Sequence, residues 1–277
     1  MLPPVSEPSA AKATFYYANP QVKTPAYFLC PPPPDAERRA PGRIGFTCAV
    51  EDVRERMHEL DLDREGLAFL TAQPPQIDYY DNEQIVSQYY PEAVAWVRAA
   101  TGAREVVAFD HNVRNKARAG DEQLQARAPV QNPVKSVHND YTEQSGPQRF
   151  ADLLPNRTTE RFSIINVWRP LEGPVRQTPF AVIAAASMDS ADLVRTELVY
   201  TDRVGEIYMV RHNPTHRWMY VSNMQANEVM LLKCYDSATA GIARYTAHSA
   251  FELPMSDAER AILPARQSIE VRTLVTY

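Results

Sequence analysis

Apolar residues from Ile85 onward fall at Ile85, Tyr89, Ala93, Trp96 and Val97, the spacing of one helix face. Asp81 or Asn82 can cap the start of that helix and Gly102 its end. The aromatic residues in the stripe read as contacts against a sheet, not as a ligand box. Elsewhere the apolar runs are short and strand-like. They are 13–17, 26–29, 66–70, 105–109, 161–168, 180–186, 206–210, 218–221, 228–235 and 268–277. Val50–Leu60 reads as a strand or a short helix, and Gln148–Leu154 as a short helix. In the second half the strands follow one another through turns without intervening helices, which points to an antiparallel sandwich or barrel. Helical support comes first and the β core follows. No internal repeat is visible.

Residues 1–45 are rich in proline and read as an N-terminal arm, leaving 46–277 as a single domain. Pro31–Pro34 excludes helix and ladder alike, so the arm is expected to wrap the surface, where it offers a homodimer interface. The polar stretch Asn115–Ala128 reads as a loop just ahead of His138, placed to act as a lid or as plain surface.

Composition narrows the function classes. The 277-residue chain is 44% hydrophobic and 23% charged, with a net charge of −5. Its basic residues are scattered, so neither nucleic acid nor an anionic membrane surface is an expected partner. Cys30, Cys48 and Cys234 are far apart and odd in number, which fits reduced thiols in the cytoplasm. The start lacks the apolar core of a signal peptide, and no run of about 18 apolar residues exists to span a membrane.

The candidate chemistry centres on Val137-His138-Asn139-Asp140. On a strand, His138 and Asp140 point to one side. One imidazole and one carboxylate are two of the three ligands of a 2-His-1-carboxylate iron site. Five other histidines are available. His58 lies in a charged stretch. His212 and His216 have zinc-helix spacing, but Pro214 between them opposes the helix and favours a loop. His248 precedes the closing strand. In a sandwich wound as a double-stranded helix, strands near the start and end are neighbours, so His248 can face the His-x-Asp pair.

The segments VHNDYTEQSGPQR, RFSIINVWRPLEGPV, LLKCYDS, TAHSAFE and SIEVRTLVTY, in that order, resemble the AsaB-like oxygenases. This group includes fungal hydroxylase/desaturases, gibberellin desaturase-like proteins and the CmcJ-like component of cephamycin methoxylation. The likeness extends upstream through GLAFL, Tyr89–Glu92 and TGAREVVAFDHNVR, covering roughly residues 45–277. It implies a mainly β chain with N-terminal helices and a jelly-roll, cupin-like double-stranded β-helix core. It also implies an Fe(II)/2-oxoglutarate-dependent oxygenase that hydroxylates or desaturates a small secondary metabolite. The implied iron ligands are His138, Asp140 and His248.

In that superfamily an arginine on the last strand binds the far carboxylate of 2-oxoglutarate, for which a guanidinium is suited. Arg272 is the first candidate and Arg266, with Ser268, the second. Arg114, Asn166, Trp168 and Arg169 are candidate substrate contacts; Asn166 and Trp168 share a strand face. Two other readings remain: an iron oxidase that does not use 2-oxoglutarate, and a non-catalytic β-sandwich binding protein. A zinc hydrolase on the same scaffold is weaker.

Overall fold

The side chain of Asp81 accepts hydrogen bonds from the backbone N–H groups of Glu83 and Gln84, and so starts the long helical run. The run passes from Asn82–Gln84 through a π turn, Ile85–Tyr89, into Tyr90–Thr101. Gly102 ends it with φ of 64° and its N–H on the Arg98 carbonyl, a left-handed cap that a residue without Cβ adopts freely. Ile85, Tyr89, Ala93 and Val97 are fully buried, in one cluster with Ile165, Val167, Ile269 and Val271 of the adjoining sheet. The stripe is core, as its spacing implies.

The computed structural model describes residues 11–120 and 130–277. Its strands are β1 (Ala11–Tyr17), β2 (Ala26–Phe28), β3 (Ile44–Asp52), β4 (Leu67–Thr71), β5 (Glu105–Asn115), β6 (Val130–Gln131), β7 (His138–Asn139), β8 (Phe162–Pro170), β9 (Phe180–Ile183), β10 (Leu193–Val199), β11 (Val204–Val210), β12 (Trp218–Tyr220), β13 (Glu228–Asp236), β14 (His248–Ala250) and β15 (Gln267–Thr276). They form a larger sheet, β1-β3-β12-β9-β14-β7-β11-β10-β2, and a smaller one, β4-β13-β8-β15-β5-β6. Strand alternation separates the layers. Val182 and Met219 of the larger sheet join Ile164, Trp168, Met230 and Leu274 of the smaller in one interior cluster. Ala181, Ile183, Trp218 and Tyr220 point the other way, to a second cluster.

Three local expectations change. Leu193–Val199 is a strand that the apolar pattern does not reveal, because exposed Arg195 interrupts it between buried Val194 and Thr196. The run 180–186 is strand only to Ile183 and then turns into the 3-10 helix Ala185–Ser187. Val50–Leu60 divides between the end of β3 and the 3-10 helix Arg54–Glu59. The predicted loop Asn115–Ala128 lies partly outside the described residues.

The proline-rich N-terminal segment does more than lie on the surface. β1 pairs antiparallel with β3 from Ala11↔Val50 to Tyr17↔Ile44. Phe15 and Tyr17 are fully buried, and Phe15 stacks on Trp218 with ring centroids 3.8 Å apart. The Val137 N–H donates to the Tyr16 carbonyl at 2.9 Å, which connects this strand to the residue before His138. Among the described residues no helix is long and apolar enough to cross a membrane.

Candidate active site

β7 supplies one histidine and β14 the other, and the two strands are hydrogen-bonded neighbours with His248 in register with His138. The imidazole centroids are 4.4 Å apart. Asp140, just beyond β7, brings Oδ1 to 3.6 Å from Nε2 of His138 and 3.8 Å from Nε2 of His248. The three ligand atoms all lie within 4.8 Å of one another. One ion with metal–ligand bonds of about 2 Å can reach all three after small movements. Asn139, between the two ligands, points the opposite way and is fully buried. Its Nδ2 donates to the carbonyls of Tyr141 (2.7 Å) and Cys234 (2.8 Å), and its Oδ1 accepts from the Thr246 N–H (3.1 Å). One amide therefore ties both ligand segments together.

Second contacts fix the orientation of each side chain of the triad. Nδ1 of His138 lies 2.8 Å from the Ser136 carbonyl and Nδ1 of His248 lies 3.1 Å from the Thr246 carbonyl. A carbonyl only accepts, so each Nδ1 carries the proton and each Nε2 keeps its lone pair for a metal. Burial holds both imidazoles neutral: the His138 pKa falls to about 4, from burial first and then the neighbouring His248, and that of His248 also falls. Neutral imidazole is the form that binds metal. Asp140 is the reverse. Burial opposes its charge, but Arg272 and then the two imidazoles hold its carboxyl well below the usual carboxylate range. Its Oδ2 accepts from Asn166 Nδ2 and Arg272 Nε, each at 2.9 Å, leaving Oδ1 turned to the histidines.

A cavity opens beside the triad, lined by Arg114, His138, Phe180, His248, Arg266 and Glu270 among others. Arg266 is almost wholly buried. Its Nη1 donates to the Thr178 carbonyl at 2.7 Å, its guanidinium lies 5.6 Å from the Trp168 ring centre, and its Nε has no partner. Burial, and then Arg114, press its pKa down to about 9. Ser268, two residues on in β15, has a buried Oγ that is also unpartnered.

A family model described as an oxidoreductase/YMDC permease-like domain matches residues 14–276. The alpha-ketoglutarate-dependent dioxygenase phiK of a fungal species is 30% identical over 237 residues, covering 82% of this chain and 83% of its own. The hydroxylase/desaturase efuI of Hormonema carpetanum is 32% identical over 251 residues, covering 82% of each chain. The chain belongs to the hydroxylase/desaturase family of Fe(II)/2-oxoglutarate-dependent oxygenases. The fold is shared with the iron and alpha-ketoglutarate-dependent endoperoxidase NvfI, at a TM-score of 0.82 and 24% identity over 96% of this chain and 97% of that one. The jelly-roll core is thus the one the sequence implies.

The oxygenase does not bring all its predicted site residues together. Arg272 is next to the triad, but its nitrogens are already engaged: Nε with Asp140 (2.9 Å), Nη1 with Asp110 (2.8 Å) and, more weakly, Nη2 with Glu270 (3.4 Å). It holds Asp140 in place, and of the candidates for a carboxylate site the buried donors without a partner are Arg266 Nε and Ser268 Oγ. Asn166 is in the interior, on Asp140, and Trp168 stacks on Phe180, which stacks on His248. Arg114 reaches the cavity wall, and its Nη1 donates to Gln131 Oε1 and the Asn132 carbonyl. Arg169 is on the far face of β8. Its Nε donates to the Tyr89 hydroxyl, its Nη1 to the carbonyls of Pro170 and Ala226, and it lies over the rings of Tyr79 and Tyr89.

Glu270, not among the site candidates read from the sequence, lines the cavity. Burial and then Asp140 raise its pKa, with Arg272 opposing. Its even spacing from Ser268 and Arg272 was the available signal. Phe180 had none, because a wholly buried strand shows no alternation.

Proposed function

We propose that His138, Asp140 and His248 hold Fe(II), and that Arg266 and Ser268 receive the far carboxylate of 2-oxoglutarate. With molecular oxygen, the enzyme hydroxylates or desaturates a small-molecule substrate. The observation that carries this reading is the unpartnered pair Arg266 Nε and Ser268 Oγ, of which Arg266 lines the cavity that His138 and His248 also line. A buried guanidinium and hydroxyl without partners are costly. A carboxylate satisfies both, and a guanidinium binds it through two parallel hydrogen bonds. The donor set also suits iron, since two imidazoles and one carboxylate occupy one side of the metal and leave the other open. These features fit the two groups that give the family its name.

Bound there, Fe(II) and 2-oxoglutarate supply, with oxygen and loss of carbon dioxide from the keto acid, the power to remove hydrogen from an unreactive C–H bond. The chain's own residues orient and shield. Asn166 and Arg272 keep Asp140 Oδ1 facing the histidines. Phe180 and Trp168, with ring centroids 5.2 Å from His248 and 5.0 Å from Phe180 respectively, form an apolar wall that excludes water. Arg114 adds positive charge beside Arg266, where an anionic cosubstrate enters. The free thiols of Cys30, Cys48 and Cys234 support a cytoplasmic location.

The test is anaerobic addition of Fe(II) and then 2-oxoglutarate, followed by visible absorption and, after oxygen is admitted, a succinate assay. Iron uptake, a new visible band and succinate are expected. Absence of both iron uptake and 2-oxoglutarate consumption would overturn the reading.

A further inference from the structure

We propose that Arg149 recognises the substrate, binding a carboxylate carried on an apolar, ring-bearing skeleton. The proposal rests on reading the neighbouring triad as the iron site. It begins from an irregularity in the β5–β15 ladder. Arg272 pairs with Asp110 and Thr273 with Ala108, so Phe109 has no opposite residue. Such a bulge re-aims a side chain and is common beside active sites. Here Phe109 packs against the interior cluster that contains Tyr141 and Phe162. It adjoins Asp110, whose carboxylate accepts from Arg272, the residue that also holds Asp140.

Arg149 lies on the helix Ser145–Leu153, which follows the His-x-Asp segment, with its guanidinium 5.4 Å from the centre of the Phe109 ring. The next residue, Phe150, places its ring 4.6 Å from that of Phe162. Arg149 is half-buried, its Nε is sealed from solvent, and that nitrogen has no hydrogen-bond partner. Among the described residues it has no acid partner either, whereas the half-buried Arg54, Arg56, Arg161 and Arg244 each pair with one. An arginine stacked on an aromatic ring and lacking an anion is preorganised for a planar carboxylate. Phe109, Tyr141 and Phe150 give an attached ring an apolar surface. None of these four side chains lines the cavity at Arg266, so substrate and cosubstrate carboxylates would have different arginines.

The test uses 2-naphthoate and 2-naphthamide, which match in shape and differ in charge. The enzyme is loaded anaerobically with Fe(II) and excess 2-oxoglutarate, loading is confirmed by the visible band, and each probe is titrated by calorimetry. Naphthoate is expected to bind about 10-fold more tightly than naphthamide, the effect of one partly screened charged pair. Arg149→Gln should abolish the difference without altering loading, and Arg149→Lys should keep part of it. Equal binding of the two probes, binding of neither, or a preference that survives in Arg149→Gln would overturn the proposal while leaving the iron site intact. Failure to load would instead overturn the iron reading, and this proposal with it.

Discussion

His138 and His248 are register partners across two adjacent strands, with their Nε2 atoms 3.6 and 3.8 Å from the same oxygen of Asp140. The proposed iron site therefore depends on a strand pairing as much as on three side chains. Replacing Asp140 by Asn keeps the shape but removes the charge that the metal needs. We expect Fe(II) affinity, measured anaerobically, to fall by about 100-fold or more, since even outer contacts to such ligands alter affinity by about 10–100-fold. Folding, followed by circular dichroism, should be retained.

Arg266 and Arg272 should separate cleanly. Arg266→Gln is expected to raise the KM for 2-oxoglutarate by about 10–100-fold, the loss of a charge-assisted pair, with iron affinity unchanged. Arg272→Gln leaves buried Asp140 without its cation, and removing one partner of a buried pair costs about 3 kcal/mol. Its main effects should be a lower Tm and weaker iron binding. Equal 2-oxoglutarate KM effects in the two variants would contradict the assignment.

Gly66 links the GLAFL segment to the second histidine. Its φ is +84°, and a Cβ there would lie 2.1 Å from Thr246 Oγ1. Thr246 in turn donates to the Gly66 carbonyl at 3.1 Å and offers its own carbonyl to His248 Nδ1. Gly66→Ala should therefore cost about 2 kcal/mol or more through strain and overpacking. It should also weaken iron binding by displacing Thr246. Chemical denaturation and anaerobic titration measure the two effects.

His216 predicts acid sensitivity away from the iron site. Its Nε2 faces Asp192 Oδ2 at 3.0 Å and its Nδ1 faces the Tyr17 hydroxyl at 3.2 Å. Burial lowers its pKa, with Asp192 opposing and His212 assisting. Below the unfolded value of about 6.5 the unfolded chain then binds more protons than the folded one, so stability is complete above that pH and declines as pH falls through it. Denaturation midpoints from pH 8 to 5 should show this slope, and His216→Gln should reduce it, leaving the share of the other lowered imidazoles, His138 and His248 among them.

Much of this site was legible in the sequence, for reasons that also mark where legibility stopped. The helix stripe and Gly102 obey spacing and cap chemistry, which are local. His138 and Asp140 follow from strand alternation, and His248 from the order of the segments in the family. Alternation along β8 also separates Arg169 from Asn166 and Trp168, although the candidate set included all three. The sequence ranks Arg272 of β15 above Arg266, the residue just before that strand, because nothing local shows which acids meet either one. Arg266 and Arg272 share a face, and only the fold brings Asp140 and Asp110 to one of them. Leu193–Val199 was missed because a half-exposed strand with a charged residue in it has little apolar signal.

The hydrogen bond from Val137 to Tyr16 has a practical consequence for anyone trimming the gene. A shorter version starting at residue 46 removes the acceptor of that bond and uncovers Trp218, losing the Phe15 stack at 3.8 Å. Such a version should be poorly recovered and take up little iron, although every ligand remains encoded. The proline-marked segment is thus a latch on the first histidine, and protein prepared for assay should retain it.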